Sequence, residues 1–410
     1  MKDLWLFTTR FPYGQGEPFL ENELPFLAAR FARIRLIPLV RDHGIRALPP
    51  NVEVVPPPAE PYAVASPLRM LAYARTWWRM RRAVRASAPS AEVRDRLWPD
   101  ARAAMRQALE RMHRYRTGLF RDFDPDRVLL YSYWMADHAT ALSLLQLHDR
   151  RVRYVARMHG FDLYADRWPG QWPFFQDLQM AHVDRVHLVS RAGLDHLTAR
   201  YPQHADRCEL SRLGTFDHGA GPWAPSPELR LASASHLVPI KRVALLIEAL
   251  RAVRRAVRWT HFGEGPERAA LEAAVTTLPP HIRVELPGNI ANQDLLAWYR
   301  STPVDLFVHL SSTEGGVPVA LQEAASFGIP LLAADAGGVR EIVGPATGTL
   351  LPHDPEAALI ARHLEDFPGG PQHTAAFRAG VRAAWAAGFK AEVNFGHFCD
   401  RLLGAAERAH

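Results

Sequence analysis

Two rhythms of apolar residues alternate along this chain. Short runs of Val, Ile, Leu and aromatic residues end at Gly, Pro or polar positions. Stretches with apolar residues three and four apart follow them. The first rhythm fits a strand buried on both faces, the second an amphipathic helix. Residues 4–8 are the first run, and Pro12, Gly14 and Gly16 come next. Residues 18–32 then predict a helix that turns Phe19, Leu20, Leu24, Leu27 and Phe31 inward. Further strands are predicted at 34–40, 52–55 (closed by Pro56–Pro58), 128–132, 152–158 and 183–190. Helices are predicted in two or more pieces over 67–118, and at 137–148 and 171–180. Strands alternating with helices imply a mostly parallel sheet covered on both faces.

The segment 217–228, rich in Pro and Gly, breaks the pattern and is a candidate linker. A second alternating series follows it. Strands are predicted at 230–237, 258–262, 282–286, 306–310 and 330–334, with helices at 244–257, 267–275, 294–301 and 319–327. Residues 373–410 read as helical throughout, with Phe377, Trp385, Phe389, Phe395 and Phe398 available for packing at an interdomain seam or against the second domain. The fold class is therefore α/β, with two doubly wound Rossmann-like domains. The first spans 1–220 and the second 221–385, with a C-terminal helix, 386–410, able to pack back on the first.

Composition narrows the class without naming a function. A chain of 410 residues, 48% hydrophobic and 22% charged, is neither disordered nor a small disulfide scaffold. Cys208 and Cys399 lie far apart, suit a reducing compartment and cannot form a paired metal cluster. The net charge of +6 permits an anionic partner; nucleic acid is not expected. Asp3 and Arg10 interrupt the apolar N-terminus, so no signal peptide is expected. No stretch reaches the ~18 apolar residues a membrane span needs. The expected location is cytoplasmic, or the inner face of the cytoplasmic membrane.

In doubly wound sheets, ligands bind beyond the carboxyl ends of the strands. The densest cluster there is the segment 311–343, SSTEGGVPVALQEAASFGIPLLAADAGGVREIV. Gly315 and Gly316 let backbone approach a ligand, and Val317-Pro318 opens a helix whose free N–H groups can hold phosphate. Glu323 lies about one and a half turns in, where a carboxylate can accept from both hydroxyls of a ribose. Gly337-Gly338 repeats the glycine device. Lys241, one of three lysines in an Arg-rich chain, sits at a helix head and suits phosphate. His159 and Asp162 flank Gly160 at another strand end. By itself this His-x-x-Asp is equally a helix cap. The pair GEG, 263–265, lacks the third glycine of a dinucleotide fingerprint. Arg75, Trp77, Trp78, Arg79 and Arg82 share a helical segment with Arg81 and Arg85. This segment is either a contact for an anionic membrane or a solvated helix whose Trp side is core.

These strings together resemble glycosyltransferase family 4, retaining nucleotide-sugar transferases of the GT-B fold, over nearly the whole chain. EGGVPVALQEAASFGIPLLAADAGGVREIV is similar to the family's donor-binding signature, and LVPIKRVALLIEAL to its lysine segment. HFGEGPE, which contains Gly263, and LPGNIANQDLLAWY are similar to two more family segments. TTRFPYGQGEPFLENEL, YSYW and ARMHGFDLY resemble members that build bacterial surface polysaccharides.

The resemblance implies a GT-B pair of domains facing across a cleft, the first binding the acceptor and the second the donor. It implies that Lys241 neutralises the donor diphosphate beside N–H groups of Gly316 and Val317, that Glu323 holds the ribose, and that Glu314 touches the transferred sugar. His159 would contact the donor sugar, with Asp162 ordering the loop. The loop from Gly14 and Gly16 to Glu17 would meet diphosphate or acceptor. The implied donor is a UDP-, GDP- or other nucleoside-diphosphate sugar, the acceptor a glycan or lipid-linked molecule, with no cofactor or metal required.

Two departures stand out. The family separates its two glutamates by seven intervening residues, whereas here Gly315 stands eight positions before Glu323 and Glu314 nine before it. His236 stands where an arginine is usual, which shifts charge neutralisation toward Lys241 or Arg242. A catalytically weak or inactive binder of nucleotide sugars or glycans is the alternative from another class. An epimerase or a phosphorylase of related architecture is the third.

Overall fold

The computed structural model describes residues 1–14, 16–57 and 65–407, with side chains through 404. Gln15, Pro58 and the last residues of the 386–410 segment lie outside this set. The chain divides into two compact units. One comprises Met1–Ser211 with Phe395–His410, the other Arg212–Asn394.

In the first unit the elements run β1 (Asp3–Thr8), α1 (Phe19–Arg30), β2 (Ile34–Pro38), β3 (Val52–Val54), α2 (Pro67–Ala72), α3 (Ala74–Ala86) and α4 (Ala91–Arg114). There follow β4 (Val128–Ser132), α5 (Asp137–Gln146), β5 (Tyr154–Met158), α6 (Gln176–His182), β6 (Arg185–Leu188), α7 (Arg191–Arg200) and β7 (Cys208–Leu210). The strands form one parallel sheet in the order β3-β2-β1-β4-β5-β6-β7. Its central strands are buried on both sides, which is why they read as unbroken apolar runs. One face packs on Trp5, Met105, Leu109, Leu142 and Trp172, the other on Leu20, Leu24, Phe31 and Leu36.

Arg157 of β5 is fully buried beside Glu23 of α1, 3.3 Å away. The Tyr131 hydroxyl donates to Glu23 at 3.0 Å. Phe398 covers the Arg157 guanidinium at 3.9 Å and so fastens the C-terminal residues to this unit.

The second unit runs β8 (Leu229–Ala234), α8 (Val243–Leu250), β9 (Val257–Phe262), α9 (Arg268–Val275), β10 (Ile282–Gly288), α10 (Asn292–Ser301), β11 (Leu306–His309), α11 (Val319–Ser326), β12 (Leu331–Ala334), β13 (Gly348–Leu351), α12 (Ala357–Asp366) and α13 (Ala375–Phe389). Its sheet is also parallel, in the order β10-β9-β8-β11-β12-β13. The two doubly wound sheets are the α/β architecture that the alternating rhythm implies.

Several expectations need correction. Residues 373–410 are not one helix: α13 ends at Phe389, Lys390 is extended, and α14 (Ala391–Glu407) starts afresh. Gly214 permits the break, because a Cβ there would lie 2.7 Å from the Ala391 Cα, and Thr215 bonds both Phe389 O and Ala391 N–H. The strand β13 and helix α12 went unread, as did β7, a three-residue edge strand with too little apolar pattern to register. Trp77 does not join an exposed face. It is buried with Met80 and Val84 against α4 and α6.

Candidate functional site

Each sheet has one place where neighbouring strands lead off in opposite directions. That place is β1/β4 in the first unit and β8/β11 in the second. In doubly wound sheets such a point is where ligands bind, beyond the carboxyl ends of the strands.

At the β8/β11 point the loops after both strands are tied together. The Ile240 carbonyl accepts from the Ser312 N–H at 2.8 Å and from the Ser311 hydroxyl at 3.2 Å. Lys241 closes a short turn two residues before α8, and its Nζ lies 2.5 Å from Glu314 Oε1. His309, the last residue of β11, donates from Nε2 to the same oxygen at 2.9 Å. Burial would raise the Glu314 carboxyl, but His309 and Lys241 outweigh it and hold the group at about 2, so it stays ionised.

Beneath them Trp259 Nε1 donates to Ser233 Oγ at 2.8 Å, and Ser233 Oγ lies 2.7 Å from His261 Nδ1. His261 Nε2 then faces the Ser235 carbonyl, which fixes Nδ1 as the acceptor from serine. Burial takes this imidazole down to about 4 and keeps it neutral. Ser233, Lys241, His261 and His309 line a small recess.

Arg242 follows a different logic from Lys241. Its backbone is left-handed, φ 50°, which folds the side chain back on the loops. The guanidinium donates to the carbonyls of Leu310 at 2.6 Å and His353 at 2.7 Å, and pairs with Asp354 at 2.7 Å. It pins the loops. His236 is exposed, one residue beyond the recess-lining Ser235.

The turn into α11 leaves donors open. Among the described residues no backbone carbonyl takes the N–H groups of Gly315, Gly316 or Val317. Gly338 packs directly under this turn: a Cβ would sit 2.6 Å from the Gly316 carbonyl carbon. Gly337 and Gly338 thus serve close backbone packing, and Gly263 does likewise, since a Cβ there would meet the Ser235 carbonyl at 1.9 Å. Glu323 lies in α11, 6% exposed, and accepts from Asn292 Nδ2 at 2.8 Å. Burial pushes its carboxyl up to about 7, the Asn292 hydrogen bond pulling the other way.

In the first unit the β1/β4 point is organised by Glu17. Its carboxylate accepts from the N–H groups of Thr9 at 2.8 Å and of Arg10 and Phe11 at 2.7 Å each, and from Trp134 Nε1 at 2.7 Å. Gly14 and Gly16 are held by their carbonyls, both bonded to the Arg46 guanidinium. The Trp134 ring lies 4.4 Å from the His159 ring, and Tyr133 lies 4.6 Å from it on β4's continuation. Both His159 ring nitrogens are buried without a hydrogen-bond partner among the described residues. Burial, then Arg157, drives this imidazole well below its ordinary range, so it is neutral. Asp162 accepts from the N–H groups of His159 and Met135 at 2.9 Å each, and burial raises it to about 6.

Lys241, Glu314, Gly316, Val317 and Glu323 thus gather around one end of the second sheet, and His159 and Asp162 around one end of the first. The sequence pattern does not single out His309, Asn292, Ser233, His261 or the bond of Trp134 to Glu17. His309 and Ser233 sit at strand ends where chemistry was expected, yet both read as interior strand positions. Asn292 stands in LPGNIANQDLLAWY without a motif of its own.

Residues 228–366 match the family described as Glycosyl transferases group 1. A GDP-mannose-dependent alpha-mannosyltransferase of Mycolicibacterium smegmatis is 28% identical over 252 residues, 58% of this chain and 63% of that protein. An amylovoran biosynthesis glycosyltransferase, AmsK, of Erwinia amylovora is 27% identical over 140 residues, 32% of this chain and 34% of that protein. The chain therefore spans less than two thirds of the length of these relatives. Anabaena Alr3699/HepE in complex with UDP superposes with a TM-score of 0.66 at 18% identity, over 99% of this chain and 100% of that one. That likeness establishes the fold as GT-B.

Proposed function

We propose that this chain, a Glycosyl transferases group 1 protein over residues 228–366, is a retaining glycosyltransferase. It moves a sugar from a nucleoside-diphosphate sugar to a glycan or lipid-linked acceptor in the synthesis of a bacterial polysaccharide or glycoconjugate. The observation that carries the reading is the meeting of Lys241, His309 and Glu314 at the β8/β11 crossing, beside the open N–H groups before α11. The names of the relatives support the donor class: GDP-mannose for the mycobacterial protein, UDP for the Anabaena structure.

The Lys241 ammonium and the Gly316 and Val317 N–H groups bind the diphosphate and take up the charge that grows on it. The bond from the anomeric carbon to the phosphate oxygen breaks, and the acceptor oxygen bonds that carbon on the same face. The acceptor proton passes to the departing phosphate oxygen. Glu323 accepts from the ribose hydroxyls, and Glu314, turned by Lys241 and His309, faces the sugar. His236 adds a neutral contact near the phosphate, while Arg242 and Gly263 act by shaping the loops. His159, neutral and with free ring nitrogens, contacts the sugar, and Asp162 holds its loop. The first unit carries the acceptor. The protein works in the cytoplasm, at the inner face of the membrane where lipid-linked acceptors lie.

The test is incubation with labelled UDP- and GDP-sugars and a lipid-linked oligosaccharide, for the native chain and Lys241→Ala. Donor consumption lost in the variant supports the reading. Donor binding without turnover over a broad acceptor panel would leave a nucleotide-sugar-binding protein instead. No binding of any nucleoside diphosphate would refute both.

A further inference from the structure

We propose that the outer face of α2 and α3 is a docking surface for an anionic lipid bilayer. The two short helices, joined at Tyr73, each present exposed residues. Leu68 and Leu71 of α2 and Arg75, Trp78, Arg79, Arg82 and Arg85 of α3 are all exposed, and within α3 the series Arg75, Arg79, Arg82 and the series Trp78, Arg82, Arg85 each run at steps of four and three. Leu68 is 80% exposed, Leu71 73% and Trp78 61%. These rank among the most exposed large apolar side chains of the described residues, and all three lie within eleven positions on one surface. The opposite face of α3 explains why its exposed residues are fixed in place. Thr76, Trp77, Met80 and Val84 are buried against α4 and α6, so rotation would bring these core residues into water.

Charge complementarity chooses the partner. Residues 65–90 hold six arginines and no Asp or Glu, which equals the formal excess of the whole chain, +6. The cationic surplus is therefore concentrated in this segment. Arg75, Arg79 and Arg82 make no ion pair among the described residues. Arg81 lies over Trp78 at 5.0 Å and over Trp98 at 5.7 Å, with Arg85 over Trp98 at 5.2 Å.

Leucines and a tryptophan among arginines suit an interface with an apolar interior below a layer of negative headgroups. A nucleic acid would use the arginines and leave Leu68 and Leu71 in water. The helices lie along the surface: no helix of the described residues is long and apolar enough to cross a membrane.

Sedimentation with vesicles tests this without any sugar donor, so its outcome is independent of the transferase reading. Vesicles of phosphatidylcholine with about a third phosphatidylglycerol are compared with phosphatidylcholine alone. We expect binding to the first, weakened as salt rises, and little to the second. Arg75→Glu/Arg79→Glu/Arg82→Glu should lower the partition coefficient at least about fiftyfold, at roughly a fivefold factor for each arginine near the surface. Leu68→Ser/Leu71→Ser should weaken binding several-fold while keeping its salt dependence. Both variants alter only exposed positions, and unchanged thermal melting checks that they fold. Equal binding to both vesicle types, unchanged binding by the arginine variant, or binding to a DNA duplex but not to vesicles would each overturn the proposal.

Discussion

Lys241 and Glu314 are 73 positions apart, yet the ammonium nitrogen and a carboxylate oxygen lie within 2.5 Å. The pairing arises because β8 and β11 are neighbours whose following loops both return to the Ile240 carbonyl. With its carboxylate held ionised, Glu314 keeps the lysine oriented. Lys241→Ala should lower kcat/KM by roughly 10²–10³, and nucleoside-diphosphate affinity in calorimetry should fall with it. Lys241→Arg, too large for the turn but still cationic, should recover part of the affinity. Full activity in Lys241→Ala would remove the lysine from the mechanism.

Glu323 gives a pH-dependent prediction. Burial raises its carboxyl to about 7 from an ordinary 4.5. The folded protein thus keeps a proton that the unfolded chain releases. The stability this site provides is complete below the unfolded value and is lost as pH rises through about 7. Glu323→Gln should therefore melt above the native protein at pH 8, by on the order of 3 kcal/mol, and match it near pH 4. Nucleotide affinity should move oppositely. It should tighten from pH 6 to pH 8 in the native chain as the carboxylate forms, and drop at least about tenfold in the glutamine variant. Identical melting at both pH values would show that Glu323 does not carry the raised carboxyl.

Arg242 should behave as a structural residue. Its left-handed backbone and its bonds to Leu310, His353 and Asp354 need a planar fork of donors. Arg242→Lys keeps the charge and loses the fork, so stability should fall by about 2–3 kcal/mol in urea unfolding. Nucleotide affinity should change far less than in Lys241→Ala. A large affinity loss with unchanged stability would mean that the guanidinium binds phosphate directly.

Asp162 accepts from the backbone N–H groups of His159 and Met135. Asn in its place would turn an amide NH2 toward those donors. Asp162→Asn should cost about 1–3 kcal/mol and lower kcat more than it raises KM, because the neutral imidazole of His159 loses its fixed position. Normal stability in the variant would indicate that the loop is held by other contacts, such as the Gln176 bonds to the carbonyls of Asp162 and Leu163.

Much of this architecture was legible in the chain because a strand buried on both faces must be apolar throughout. The runs at Leu4, Leu129, Leu231 and Leu331 therefore announced a parallel sheet, and Gly315-Gly316 before Val317-Pro318 announced the turn into α11. The edge strands β7 and β13 were not legible, since an edge needs less apolar pattern. Lys241 stood out as a rare lysine. Its pairing with His309 and Glu314 did not, because pairing across a sheet depends on strand order, which local sequence does not encode.

The same limit applied elsewhere. Trp77 and Trp78 are adjacent and chemically identical, and only the packing of α3 on α4 and α6 sends one inward and the other to solvent. Arg242 and Lys241 are adjacent cations that both line the recess, yet Arg242, left-handed at φ 50°, bonds the carbonyls of Leu310 and His353 while Lys241 pairs with Glu314. By itself the sequence determined the element types and which strand ends carry charge, since those follow from local periodicity and composition. The tertiary structure decided which charges meet and which are neutralised, because distance and burial are properties of the assembled sheet.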